Sequence, residues 1–282
     1  EQANLALEEG GKYSEKREAK YKWKIRLAES LCDEAISRFP YSDGGIRCKE
    51  LKKRINETAL SFTVEDVNIP ASEFRTLVEY KNINELFFRI VKDNKGQELN
   101  EETESDPEWR IKNLLKEVPV KEWNLKLPTD SDKQSHSVEA VLPALPLGRY
   151  AILISAKKEF TYGKSSIAYS RCRISAMSAV NRRLDNGSTE VYVFDRENGQ
   201  ALANVEARVI TREYNYNARK YISKEVARTM TDADGRMNIP VKTESYRNFN
   251  LELIRGEDHL FLDENFYQYP SPRNTEVKQE RT

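Results

Sequence analysis

The sequence predicts a mainly β chain: two tandem antiparallel Ig-like β-sandwiches preceded by an α-helical hairpin. Three observations predict it. Apolar residues recur every four positions before about Leu60 and every second position after it. Short runs rich in β-branched and aromatic residues then follow one another, each bounded by a polar turn. Charge is abundant and balanced, with 33% charged residues and 46 basic against 46 acidic side chains. Sheets that hide one face and solvate the other require such a supply of polar residues.

The helical part comes first. Ser14 to Phe39 lacks Pro and Gly, and Trp23, Leu27, Leu31 and Ala35 form a four-residue repeat. That spacing predicts one long helix with this stripe turned inward. "RFPYSDGG" ends it, because Pro40 has no N–H to donate, and Ser42 or Asp43 can cap a second helix running to about Glu57 with Ile46, Leu51 and Ile55.

Alternation starts at "LSFTVEDVNI", with Phe62, Val64 and Val67 as inward candidates. About seven strands are expected between Leu60 and Ile174. One short helix interrupts them: Asp106 caps it, Pro107 fits its first position, and Ile111, Leu114, Leu115 and Val118 make its apolar face. Seven further runs start near Ser175, from "ISAMSAV" to "HLFLDE". Their turns are explicit at Glu197–Gln200, Glu213–Ala218 and Asp232–Gly235, where Asn-Gly and Asp-Gly supply the backbone of tight hairpins. In "VEARVIT", Val205, Ala207 and Val209 share the inward face. The expected division is 1–57 helical hairpin, 58–174 first sandwich with the inserted helix, 175–270 second sandwich and 271–282 tail. No flexible linker separates the sandwiches, so Ile174 and Val180 are expected to pack across a short junction at Ser175–Val180.

Composition narrows function. Zero net charge gives no case for nucleic acid as a partner, and no run of ~18 apolar residues spans a membrane. The chain opens "EQANLALEEG" without Met and ends "TEVKQERT", and we read it as a piece of a longer protein. Cys32, Cys48 and Cys172 are too few and too far apart for a zinc site. A Cys32–Cys48 bridge is open if the two helices lie antiparallel; the alternative is that both are small buried hydrophobes.

No metal, cofactor or catalytic residue is expected. "DADG" places Asp232 and Asp234 as a calcium loop would, but Arg236 occupies a ligand position and the flanks read as strands. His136 and His259 fall in different domains, and no nucleophile motif accompanies either. Paired-carboxylate hydrolysis is not legible in a sequence, because such pairs meet in space. The remaining candidates are tyrosines: Tyr214, Tyr216 and Tyr221 in "REYNYNARKY", with Tyr267 and Tyr269 in "NFYQYP". They are read equally as protein-contact residues at loop tips or as cross-strand packing.

The ordered segments "STEVYVFDRENGQALANVEARVI" and "TMTDADGRMNIP", with "LPLGRYAILISA" upstream, resemble macroglobulin domains of the bacterial alpha-2-macroglobulin family. The resemblance runs from Leu60 to Tyr269 and is weaker in the helical part. It implies two macroglobulin-type sandwiches in the N-terminal part of an extracytoplasmic, periplasmic or cell-surface protein that traps proteases, with proteases as partners of the full-length chain. The family's covalent chemistry uses a thioester in a "C-x-E-Q" motif. Here the cysteines read "CDEA", "CKEL" and "CRIS", so no reactive residue carries over and the fragment is expected to be a non-catalytic scaffold. The alternative is an adhesion or carbohydrate-binding module, which an exposed aromatic platform would favour.

Overall fold

The structure, a computed structural model, describes residues 1–14, 16–93, 106–128, 131–217, 219–240 and 248–267. It is mainly β, with the first three helices ahead of the sheets. Helix α1 spans Gln2–Gly10, a 3-10 turn Ala19–Tyr21, α2 Lys24–Arg38 and α3 Asp43–Asn56. The hairpin is α2–α3, and α1 adds a third helix packed on α2. Ser42 caps α3 by accepting from the Gly45 N–H at 3.1 Å.

Two details of the helical reading are corrected. The expected helix from Ser14 begins only at Lys24. The stripe is also rotated: Trp23 and Leu27 are 51% and 44% exposed and Leu31 packs at the edge of the helical core, whereas Ile25, Ala28 and Cys32 are buried against Ala3, Ala6, Leu51 and Ile55. Small side chains at the contact let the helices approach closely, and Trp23 and Leu27 lie off that face. Ile46 of α3 is likewise exposed.

Among the described residues the first sandwich has eight strands: β1 Ala59–Val64, β2 Val67–Asn68, β3 Phe74–Lys81, β4 Glu85–Lys92, β5 Pro119–Lys126, β6 Ser135–Leu142, β7 Gly148–Ser155 and β8 Ile167–Ile174. "LSFTVEDVNI" yields two strands because the chain bends at Glu65–Asp66. Sheet β1-β3-β6 packs on sheet β2-β8-β7-β4-β5. Val78, Leu142, Phe88, Ile90, Tyr150, Ile152 and Ile154 meet between them. The far face of the larger sheet is also covered. Val91, Ala151 and Leu153 lie under Phe160 and under Ile111 and Leu114 of α4, Pro107–Leu114. Burial on both faces is why "YAILI" reads as an unbroken apolar run. Asp106 caps α4 as expected, accepting from the Glu108 N–H at 2.9 Å, but Val118 lies beyond the helix and is exposed.

In the second sandwich, β9 Met177–Arg183, β10 Thr189–Asp195 and β13 Arg236–Ile239 form the order β13-β10-β9. The other sheet is β12-β11-β14-β15, built from β11 Glu206–Asn215, β12 Lys220–Met230, β14 Asn248–Arg255 and β15 Asp258–Tyr267. Val205, Ala207 and Val209 do point inward, meeting Val191, Val193, Leu251 and Leu253. Each Val or Leu side chain so buried stabilises the fold by roughly 1.5–3 kcal/mol.

The junction is short but differently built from the expectation. Ile174 is buried in the first core, while Val180 is 56% exposed and bridges nothing. Polar groups make the connection. Ser175 N–H donates to Asn68 O at 3.0 Å, Ala176 N–H to Asp258 Oδ2 at 2.8 Å, and Arg196 N–H to Ala176 O at 2.7 Å. The Arg196 guanidinium reaches Met177 O at 3.1 Å. Burial lowers its pKa, while Glu65 of the first sandwich and Asp258 of the second pull it back up. Val67 of β2 packs against the second core. At the other boundary, Asn82 donates to Ile55 O and Glu57 O at the end of α3, and Gln134 donates to Gly10 O and Lys22 O.

Candidate functional site

"DADG" is a corner between sheets, where a hairpin was expected, whereas Glu197–Gln200 is a hairpin turn as expected, with Phe194 bridged antiparallel to Ala201 and Leu202 N–H donating to Val193 O at 2.9 Å. β12 lies in one sheet and β13 in the other, so Asp232–Gly235 carries the chain across the sandwich; between β10 and β11 the crossing comes after the turn, beyond Leu202, whose N–H still donates to Val193 O of β10. Asp232 folds the corner from within: its Oδ1 accepts from the N–H groups of Asp234 (3.0 Å) and Arg236 (2.9 Å). These two bonds lower the Asp232 pKa. Asp195 does the same at the Glu197–Gln200 turn, accepting from Glu197 and Asn198 N–H.

Thr231 locks the corner to the segment after that turn. Its buried hydroxyl donates to Leu202 O at 2.6 Å and accepts from Val205 N–H at 2.9 Å, while its own N–H donates to Val205 O. The paired motifs therefore meet in space, and what they do there is close a sandwich. Among the described residues no cluster of His, Cys, Asp and Glu is arranged to hold a metal.

The histidines are far apart in the fold. His136 Nε2 lies 2.9 Å from Asp132 Oδ1, beneath the helices, and His259 Nδ1 lies 3.2 Å from Glu252 Oε1 on the second sandwich. Cys172 is buried in the first core, which pushes its thiol up to about 12. It behaves as a packing residue.

The tyrosines are brought together in part. The β11–β12 ladder ends at the pair Asn215–Lys220, so Tyr214 and Tyr221 stand opposite each other with Tyr216 beyond the last pair, at the tip. Tyr214 meets Tyr216 at 5.2 Å and 85°, and Tyr221 at 5.2 Å and 69°. The Arg212 guanidinium lies over the Tyr221 ring at 5.7 Å. Tyr216 is 84% exposed, and Tyr214 and Tyr221 are 42% and 45% exposed. Tyr267 ends β15, two strands across the sheet, and is also exposed; Tyr269 lies outside the described residues. Strand register puts this group at one end of the sandwich and the corner, the Glu197–Gln200 turn and Asp258 at the other. The tyrosines therefore sit at the end distal to the junction.

A charge network, not foreseen from the sequence, stiffens the base of that hairpin. Arg208 donates to Glu225 Oε2 and Glu252 Oε2, each at 2.7 Å, and Arg228 donates to Glu206 Oε1 at 2.8 Å and to Glu225. Arg228 and then Arg208 hold the Glu225 carboxyl down at about 2, against an ordinary 4.5. A carboxylate with a depressed pKa stabilises the fold above its ordinary value, and that contribution is lost as the pH falls from 4.5 towards 2. Glu225→Gln removes the titrating group. A plot of thermal midpoint against pH should therefore fall less steeply for the variant than for the wild type across that interval. Parallel curves would mean that the network has no effect on stability.

These features define a tandem β-sandwich protein with an aromatic hairpin tip. No protein-family model matches the chain, and no curated protein matches it. Solved structures with some likeness include the CARDB domain of a Pyrococcus furiosus protein in complex with di-metal ions (12% identity, 42% of this chain and 87% of that one, TM-score 0.26). Another is red sea bream transglutaminase (9% identity, 81% of this chain and 34% of that one, TM-score 0.31). A third is a tetra-tandem repeat from the extending region of a large adhesion protein (12% identity, 73% of this chain and 47% of that one, TM-score 0.24). The aligned region is about a third of the transglutaminase chain and about half of the adhesion chain. At these TM-scores the likenesses carry no function across. Among the described residues no helix is long and apolar enough to cross a membrane.

Proposed function

We propose that the chain is a non-catalytic scaffold and protein-binding fragment of an extracytoplasmic, protease-trapping protein of the alpha-2-macroglobulin type. Its contact surface is the tyrosine tip of the β11–β12 hairpin. The observation that carries the binding role is three tyrosines gathered on an exposed tip, distal to the junction and braced by a charge network at its base. Tyrosines bury much area at low entropic cost, which suits a protein contact. Their edge-on angles of 85° and 69° do not make the flat platform that a sugar ring stacks on, which weighs against the adhesion reading. Support for the macroglobulin type comes from the sequence, in the ordered motifs and the strand before them.

The test uses surface-immobilised chain and two panels: catalytically inactivated endopeptidases, and β-linked oligosaccharides. The proposal expects binding to at least one endopeptidase, weakened about tenfold or more by Tyr216→Ser. Active protease should leave no adduct that survives boiling in detergent. Sugar binding with the same tyrosine dependence would establish the adhesion reading instead. Binding to neither panel would sink the protease-trapping role.

A further inference from the structure

The helical segment holds a pair of thiols that neither the sandwiches nor the proposed contact surface uses. Cys32 lies on α2 and Cys48 on α3, and both belong to the small core between these helices. Leu51, one turn beyond Cys48 on α3, is buried in the same cluster as Cys32, and Cys48 packs against that cluster. The helices around them are held in an antiparallel register: Lys52 pairs with Asp33, and the Asn56 amide donates to Glu29 Oε1 at 2.7 Å. Ala28, one turn from Cys32, is fully buried, so the crossing is close at this level. The exposures of the two sulfurs differ. Cys32 is fully buried, whereas Cys48 is partly open to solvent. Burial and then the Cys48 contact push the Cys32 thiol up to about 12. An oxidant therefore meets Cys48 first, and Cys32 is reached only through it.

We propose that Cys32 and Cys48 form a reversible disulfide that clamps α2 to α3, made by exchange with a low-molecular-weight disulfide such as oxidised glutathione. In the first step the Cys48 thiolate attacks one sulfur of the glutathione disulfide. The S–S bond of that molecule breaks, and one glutathione thiolate leaves. In the second, Cys32 loses its proton to solvent and its sulfur attacks Cys48 Sγ in the mixed disulfide, expelling the second glutathione. The protein loses two protons and two electrons, and one glutathione disulfide becomes two glutathione thiols. Because the Cys32 thiol is held so high, the second step is the slow one and quickens as the pH rises.

The experiment uses the native chain, equilibrated with excess oxidised glutathione, quenched with N-ethylmaleimide and only then denatured. The expected product is lighter by two hydrogens and takes up one maleimide, at Cys172, in place of the three taken up by the reduced chain. Peptide mapping should join Cys32 to Cys48. Far-UV circular dichroism should show the helices melting several degrees higher, and dithiothreitol should reverse the shift. Cys32→Ser should accumulate a glutathione adduct at Cys48, while Cys48→Ser should leave Cys32 unmodified. Three free thiols after equilibration would overturn the proposal. So would a wild-type adduct at Cys48 that never resolves, or a bridge that includes Cys172.

Discussion

Gly235→Ala is expected to destabilise the second sandwich by on the order of 3 kcal/mol, read from urea unfolding. Two effects combine. Gly235 has φ of +70°, where a Cβ is strained, and a Cβ built there lies 2.6 Å from Val193 O and 3.0 Å from Leu202 N. Both neighbours are backbone atoms fixed in ladder bonds: Leu202 N–H donates to Val193 O, and Val193 N–H donates to Gly235 O. Neither can move without opening the corner. Gly199 is the control. Its φ is +74°, but nothing lies within 4 Å of the added Cβ, so Gly199→Ala should carry the backbone strain alone, about 1 kcal/mol. Equal losses at the two sites would show that the close approach at Gly235 is unimportant.

The second large effect is expected at the junction. Asp258→Ala leaves the Ala176 N–H without its acceptor and removes one of the two carboxylates facing the half-buried Arg196 guanidinium. An unpaired buried donor costs about 1–3 kcal/mol, and the loss should appear in the unfolding of the second sandwich. The mechanical consequence is separable. Small-angle scattering of the wild type should fit one arrangement of the two sandwiches, whereas the variant should need a distribution of inter-domain angles. A wild type that already needs such a distribution would end the idea that this junction is rigid.

How much of this was legible depends on how local each feature is. Strand faces were readable because alternation is a property of neighbours in the chain, as Val205, Ala207 and Val209 show. The capping of α4 by Asp106 was readable for the same reason. The buried side of α2 was not. Two stripes compete there, and the larger side chains of Trp23 and Leu27 are the ones left outside. "DADG" signals a tight turn whether the next strand pairs beside the last one or crosses to the facing sheet. Only β10, the partner of β13, decides between these outcomes. Asp258 could not be linked to Ala176, nor Glu225 to Arg208, because each pairing depends on the finished sheet. The tyrosines were visible as a cluster, but whether they would be exposed and at what ring angles was not.

Strand β2 is only two residues long, yet it belongs to both halves of the β structure. It pairs in parallel with β8 through Val67↔Arg173 and Asn68↔Ile174, and Val67 packs against the core of the second sandwich. On a growing polypeptide, Val67 and Asn68 leave the ribosome long before Arg173 and Ile174, so β2 must wait unpaired until β8 emerges. The same pairing that then completes the edge of the first sheet also fixes a side chain of the second core in position. The strands of that core from Thr189 onward have not yet emerged from the ribosome at that moment. Order of synthesis thus gives the second sandwich a ready-made surface to fold against, supplied by its neighbour.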